Sequence, residues 1–411
     1  MADVSVLEVL LHDEPIGTLT RITGERSIFA FNEDYINDGK RPVLGLGFKD
    51  PHGELITTFR PYRMKLMPFF SNLLPEGRMR RYLAERAGVN PEREFFLIWA
   101  LGKDLSGAVT VRPADGKSWP PAADDAEDLP LDHGYREKPL RFSLAGVQLK
   151  FSALEENRRG LTIPAEGIGG SWIVKLPSTE FAEVPENEYS MMTLARLTGM
   201  DVPAIRLVNV HDVANLPSGL GNLKGRQAYA IERFDRLPGG TAVHAEDFAQ
   251  IFGVYPDDKY GKASMRNLAR VIAVESTEAD IAEFIRRLTF NVLIGNSDMH
   301  LKNWSMRYLD RKSAVLSPAY DFVATIAYLP DEKAALNFSR TKRYSEFTAD
   351  ELAHLANRAK MPETLVLDTA RETIELFHQY WNSEKSNLPL HKEVIAAIEE
   401  HIKKVPLASG K

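Results

Sequence analysis

Residues 295–303, GNSDMHLKN, constrain this chain more than any other stretch, because they crowd an acid, an imidazole, an ammonium and amides between two apolar runs. Before them, Ile281, Phe284, Ile285, Leu288 and Val292 recur at helical spacing, so an amphipathic helix leads in and Gly295 can close it in a left-handed conformation. After them, Trp304, Met306 and Tyr308 alternate as in a short half-buried strand. A helix, a polar loop and a strand in succession hold reactive side chains rigidly at a surface.

The rest of the chain divides around a change of pattern. Val4, Val6, Leu7, Val9 and Leu10, then Ile28, Phe29 and Phe31, then Val43, Leu44 and Leu46 form short β-like runs. Two helices are expected next, one from Arg78 to a Gly88 cap and one with Asn90 as N-cap and Pro91 at its first position, closing near Gly102. Residues 113–139 carry several prolines and an acidic run without periodicity, and read as a linker or long surface loop. Two β-like pieces around a small-residue turn within 141–153 and a compact apolar strand over 172–176 are expected to pair as neighbours in a sheet, followed by a helix over 185–197 bearing Glu188 and a strand over 227–234. From His244 the pattern is mostly helical, over 246–252, 265–273, 278–293, 349–358, 363–381 and 392–403.

A β-rich portion followed by a helical one predicts an α+β fold with two lobes. The expected parts are a β-rich subdomain over 1–112, the linker 113–139, the rest of the N-lobe over 140–236 and a helical C-lobe over 237–411. No repeat of solenoid period is visible.

Composition removes several functions. The net charge of −6 supplies no overall attraction to nucleic acid or anionic membrane. The absence of cysteine excludes disulfides, thiolate zinc sites and thiol nucleophiles, and a cytoplasmic protein is expected. The N-terminus has no basic n-region of a signal peptide, and no apolar run approaches the roughly 20 residues of a membrane span.

The chemistry is read from spacing. Asp298 and Asn303 stand in D-x-H-x-x-N, and Asp321 follows in Pro318-Ala319-Tyr320-Asp321-Phe322. A carboxylate that orients a hydroxyl nucleophile, an amide five residues on and a second carboxylate on another segment are what phosphoryl transfer requires around Mg²⁺. Asp298 is then the candidate base, and Asn303 and Asp321 supply the hard oxygen ligands. Asp298 as a plain loop cap is the bland alternative. Lys175, inside the apolar stretch WIVKL, needs a phosphate, an acid such as Glu188, or water at a strand end. Ser143, Gly146, Gln148 and Lys150 lie on a candidate phosphate-covering loop, although neither standard glycine-rich phosphate motif is present. His300 and Lys302 are candidate supporting groups that position the nucleophile or neutralise developing charge. Zinc is a poor fit, since His300 has no second His or Cys at ligand spacing.

With these residues in hand, the chain resembles the HipA family of bacterial serine/threonine kinases, toxins of type II toxin–antitoxin modules. The resemblance rests on FSNLLPEG at 70–77, SLAGVQLK at 143–150, ERFDR at 232–236, HAEDFAQ at 244–250 and the D-x-H-x-K-N run. It departs from the family at 41–46, a loose match to the first β segment. It implies a two-lobed protein-kinase-like fold, ATP and Mg²⁺ as cofactors, Asp298 as catalytic base, Asn303 and Asp321 on the metal, Lys175 on the ATP phosphates, and Glu232 and Phe234 at the adenine. Ser143 matches the family's autophosphorylation position, where an added charge of about −1.5 to −2 expels the loop. The implied target is a protein serine, as in glutamyl-tRNA synthetase. The implied partners are a HipB-like helix-turn-helix antitoxin and, through it, operator DNA, with no membrane. A catalytically weak co-repressor subunit and a small-molecule phosphotransferase are the alternatives from other classes.

Overall fold

A computed structural model describes residues 5–115, 149–156, 160–164, 169–216, 220 and 222–409, arranged in two compact units. The N-terminal unit comprises the first 147 residues and a later segment, 249–256. Its strands are β1 (Val6–Leu11), β2 (Glu14–Ile22), β3 (Arg26–Phe31), β4 (Tyr62–Arg63) and β5 (Val109–Pro113), in the order β4-β3-β2-β1-β5 with every pair antiparallel. Its helices are α1 (Glu33–Asn37), α2 (Pro68–Ser71), α3 (Gly77–Ala87) and α4 (Glu94–Leu101). Phe29 packs against Phe31, Phe48 and Phe70 to centre the core.

The stretch FSNLLPEG is an internal brace of this unit. Glu94 is 1% exposed, and its carboxylate accepts from the Leu66 amide at 2.8 Å, the Ser71 hydroxyl at 2.9 Å and the Arg80 guanidinium at 3.1 and 3.2 Å. The Asn72 amide donates to the carbonyls of Pro68 and Val254. A buried charge met by several donors in this way is stable where an unpaired one is not.

Two sequence expectations fail here for tertiary reasons. Val43, Leu44 and Leu46 do not form a strand but lead into a 3₁₀ turn, Leu46–Phe48. Gly47 there comes so close to the Ile251 carbonyl that a Cβ would lie 2.8 Å from it. The helix expected from Pro91 begins at Glu94, because Asn90 closes a turn by accepting from the Glu92 amide and the Glu94 amide donates to Met64.

The second unit comprises residues 148–248 and 257–411. Strands β6 (Lys150–Glu156), β7 (Gly160–Thr162), β8 (Trp172–Lys175), β9 (Ile205–Asn209), β10 (Val213–Ala214) and β11 (Gln227–Glu232) form a sheet ordered β10-β7-β6-β8-β11-β9, with β10 and β7 parallel. As expected, β6 and β8 are neighbours. Helix α5 (Val184–Leu197) buries Met191, Met192, Leu194 and Ala195 in a core that includes Tyr229 and Ile231 of β11, with Ile173, Ile205 and Leu207 packed on it.

That core runs on through Phe290, Leu293, Phe322, Phe377, Trp381 and Ile398, so the portions expected at 140–236 and 237–411 share one apolar interior. The later elements are β12 (His244–Asp247), α6 (Phe248–Ile251), α7 (Met265–Glu275), α8 (Glu278–Leu293), β13 (Ser305–Tyr308), β14 (Val315–Leu316), α9 (Ala349–Ala359), α10 (Glu363–Glu384) and α11 (Lys392–Ile402). The helix expected over 246–252 forms only from Phe248, as α6, because Glu246 and Asp247 belong to β12, where Glu246 lies opposite Met306 of β13 and accepts from the Tyr308 hydroxyl at 2.5 Å. The expected linker lies outside the described residues from 116 onward. Among the described residues, no helix is long and apolar enough to cross a membrane.

Helix α8 ends as its glycine predicts. The Gly295 amide donates to Val292 at 3.2 Å, the Asn296 amide donates to Asn291 at 2.9 Å, and Gly295 has φ +65°, which together make a Schellman closure. A Cβ on Gly295 would also sit 2.8 Å from Cβ of Ile326 and 3.2 Å from Cδ2 of His401. Gly295→Ala is therefore expected to lower the stability to urea unfolding by about 2–4 kcal/mol, combining overpacking with left-handed strain. A change below about 0.5 kcal/mol, the range of ordinary surface substitutions, would contradict that packing.

Candidate active site

Lys175 is the last residue of β8 and is 8% exposed. Its Nζ donates to Glu188 of α5 at 2.5 Å and to Asp321, and lies 5.7 Å from the centre of the Tyr229 ring. Burial alone would favour the neutral amine, yet Asp321 and then Glu188 raise the Lys175 pKa and keep it an ammonium. Burial pushes the Glu188 carboxyl up to about 7 against the pull of Lys175. Burial also works to raise Asp321, but Lys175 and then Lys150 outweigh it and hold that carboxyl at about 2. Of the two carboxylates, Asp321 is thus the one pulled down and Glu188 the one pushed up.

Asp321 adopts φ +61°, a left-handed backbone that costs a non-glycine residue on the order of 1–3 kcal/mol unless its surroundings impose it. Three polar staples hold its segment. The Asn296 side chain, 2% exposed, donates to the Asp321 carbonyl at 3.4 Å and to Asn291 Oδ1 at 2.7 Å, while its own Oδ1 accepts from the Asp298 amide at 3.1 Å. Thr325 accepts from the Ser297 amide at 2.7 Å and donates to the Gly295 carbonyl at 3.0 Å. Asn187, beside Glu188 on α5, pairs both ways with the backbone of Ala324, at 3.0 and 3.2 Å. One amide side chain therefore joins the Asp298 loop to the Asp321 segment, and another joins that segment to the helix bearing Glu188.

On the loop, Asp298 is 9% exposed, and its Oδ1 accepts from the Tyr260 hydroxyl at 2.7 Å. Residues 301–303 make a 3₁₀ turn, in which the Asn303 amide nitrogen donates to the Asp298 carbonyl at 2.8 Å, leaving Oδ1 as the oxygen that the side chain presents. His300 is buried, edge-on to the Tyr260 ring at 5.0 Å. Lys302 Nζ lies 3.8 Å from Asp247. The arrangement presents a carboxylate, an amide oxygen and an ion-paired lysine on elements locked to one another, the groups that phosphoryl transfer uses.

Profiles of the HipA N-terminal domain and the HipA-like C-terminal domain match residues 7–112 and 142–381. The chain belongs to the HipA family. It is 58% identical over 410 residues to Y4dM of Sinorhizobium fredii, a protein bearing a kinase name, covering 99% of this chain and 98% of that one. It is 28% identical over 292 residues to the serine/threonine-protein kinase toxin HipA of Shewanella oneidensis, covering 63% of each. The solved HipA, HipB and operator DNA complex from Shewanella oneidensis MR-1 contains a chain of the same fold, with a TM-score of 0.72 at 22% identity, covering 97% of this chain and 95% of that one.

In this HipA-family chain the ERFDR stretch folds on itself. Arg233 grips Asp235 through two bonds of 2.9 Å and reaches Ser152 of β6 at 3.2 Å, and its amide donates to Ser171. Glu232 ends β11 opposite Trp172, and the half-buried Phe234 packs its ring 5.6 Å from that of Tyr320. Lys150 lies opposite Lys175 across β6 and β8 and adds positive charge near Asp321 and Glu188. Ser143, Gly146 and Gln148 lie outside the described residues. Sequence reasoning passed over Asn187, Asn296, Thr325 and Tyr260, whose types are ordinary in turns and helices. The one local signal is that Asn187 and Asn296 adjoin residues already singled out.

Lys175→Met would leave Glu188 and Asp321 facing each other without the ammonium. Such a break costs about 3–5 kcal/mol. Both folded-state pKa values would then exceed the unfolded values of about 4.3 and 3.9. Groups raised in this way add stability below their unfolded pKa and lose it as pH rises through the folded value. Urea unfolding of the variant is expected to show its largest deficit near pH 8 and a narrowing deficit toward pH 5. A deficit that is constant with pH would contradict the charge argument.

Proposed function

We propose that this chain is an ATP- and Mg²⁺-dependent protein serine/threonine kinase and the toxin of a toxin–antitoxin pair. The observation that carries the reading is the buried Lys175 held between Glu188 and Asp321, with Asp298 joined to the Asp321 segment by Asn296 and Asn303 bonded in turn to the Asp298 carbonyl. The donor set fits Mg²⁺. Asp321 is held ionised and Asn303 presents a carbonyl oxygen, both hard ligands, and two protein groups suffice where substrate phosphates supply the rest. When bound, Mg·ATP supplies the γ-phosphoryl group and the charge that shields it.

The chain's own residues do the remaining work. Lys175 exchanges a carboxylate partner for phosphate oxygens, Glu188 keeps it aimed, and Asp298 receives the proton of the acceptor hydroxyl. Glu232 and Phe234, at the end of β11 and just beyond it, line the adenine side, and Gly146, Gln148 and Lys150 the phosphate side. His300 and Lys302 support the loop and the charge around it. Ser143 is the proposed autophosphorylation site, and a protein serine, in the class of glutamyl-tRNA synthetase, the proposed external target. A HipB-like helix-turn-helix antitoxin and operator DNA are the proposed partners, supported by the fold shared with the Shewanella complex of HipA, HipB and operator DNA. A cytoplasmic location follows from such a target.

Incubation of the full chain with Mg·ATP is expected to place phosphate on Ser143 by mass mapping, and EDTA should abolish it. Asp298→Asn should cut transfer by about 10²–10⁴-fold, the usual contribution of a general base. The same variant should keep the thermal shift that Mg·ATP produces, about 2.7 kcal/mol of stabilisation at 100 times Kd. A wild type that shows no phosphate transfer and no thermal shift would overturn the reading.

A further inference from the structure

The backbone of Asp298 is fixed three times over without any help from Tyr260. Its amide donates to Asn296, and its carbonyl accepts from the Asn303 side chain and from the His300 amide at 2.8 Å. What those bonds leave undetermined is the rotation of the carboxylate about its own side-chain torsions. The Tyr260 hydroxyl bonds that carboxylate directly, at Oδ1 and 2.7 Å. Tyr260 is itself set in place by its ring and its neighbour. The ring meets His300 edge-on at 5.0 Å, the Lys259 Nζ stands 5.6 Å from the ring centre, and the Lys259 carbonyl accepts from the Leu301 amide at 3.5 Å.

We propose that Tyr260 is a positioning residue for phosphoryl transfer, its hydroxyl orienting the Asp298 carboxylate toward the acceptor hydroxyl. The proposal rests on the kinase reading above. In the transfer, the acceptor oxygen forms a bond to the γ-phosphorus, the bond from that phosphorus to the β,γ-bridging oxygen breaks, and ADP leaves with that electron pair. The acceptor proton passes to Asp298, which later releases it to water, while Tyr260 keeps its own proton throughout as a donor. A carboxylate accepts at two oxygens with about four lone-pair sites, and the phenol's bond at Oδ1 takes one of them. A bond to a charged group also restrains it more strongly than a neutral one.

Tyr260→Phe isolates the hydroxyl, because the ring packing against His300 and Lys259 is retained. In the full-length protein with Mg·ATP, the rate of self-phosphorylation at saturating ATP is expected to fall about 10- to 100-fold, the rate equivalent of losing a hydrogen bond to a charged group. The KM for ATP, the thermal shift on Mg·ATP and the melting temperature without nucleotide are expected to match the wild type. A variant with the wild-type rate would overturn the proposal, and so would one whose rate falls together with its melting temperature, which would make the hydroxyl a fold staple. Asp298→Asn, run alongside, separates the two readings. If the wild type transfers and Asp298→Asn does not, an active Tyr260→Phe sinks the Tyr260 proposal alone. If the wild type neither transfers nor shifts with Mg·ATP, the kinase reading and this proposal fall together.

Discussion

An ammonium ion taken out of water costs several kcal/mol unless opposite charge and good geometry offset it. Lys175 imposes that condition on the second unit. Its strand delivers the charge to the face of the sheet covered by α5, and the chain must bring two acids to it from separate elements. Glu188 comes on the helix and Asp321 on a segment nearly 150 residues further along the sequence. Bringing both carboxylates to one ammonium requires α5 and the Asp321 segment to hold a fixed relation, which the two-way bond between Asn187 and Ala324 enforces. It also gives Asp321 a reason to tolerate a left-handed backbone, since the ion pair and the Asn296 bond compensate for the strain.

The loop after α8 shows how a run of polar residues becomes a site. Gly295 allows the chain to turn against Ile326 and His401 at distances no side chain could share. Immediately afterward, the Asn296 and Asn303 side chains bond the Asp298 backbone and the Ser297 amide donates to the Thr325 hydroxyl, so that Asp298 sits on a scaffold held from several directions. The charged neighbours are deployed differently from one another. His300 is packed inward against Tyr260, whereas Lys302 lies near Asp247. Rigid placement of this kind is how a surface loop can present a group at a defined angle without settling again for each turnover.

Much of the architecture was legible in the pattern of residues. Helix α8 with its glycine closure, the β6 and β8 pairing, α5 with Glu188, and the long helices α9 to α11 follow from apolar periodicity and capping residues, which act over a few positions. The failures share one cause. Val43–Leu46 and Glu246–Asp247 carry local patterns that partners distant in sequence override, the first through the close approach of Gly47 to Ile251 and the second through pairing with β13. Local propensity loses wherever a tertiary hydrogen bond or a close contact is worth more than the few tenths of a kcal/mol at stake per residue.

For the site, Lys175, Asp298, Asn303 and Asp321 stood out in the sequence because their chemistry is conspicuous: a charge in an apolar strand and acids and amides at meaningful spacing. The residues that aim them did not. Asn187, Asn296, Thr325 and Tyr260 are unremarkable by type, and their roles arise only when segments far apart in sequence come within 3 Å or so of one another. The sequence by itself determined that Lys175 must find counter-charge and that a polar loop must follow an amphipathic helix. The tertiary structure alone decided that Glu188 and Asp321 share the ammonium, that Asp321 is the carboxyl pulled down by it, and that a tyrosine holds the Asp298 carboxylate. Burial and distance set those outcomes, and neither is a property of a residue until the chain has folded around it.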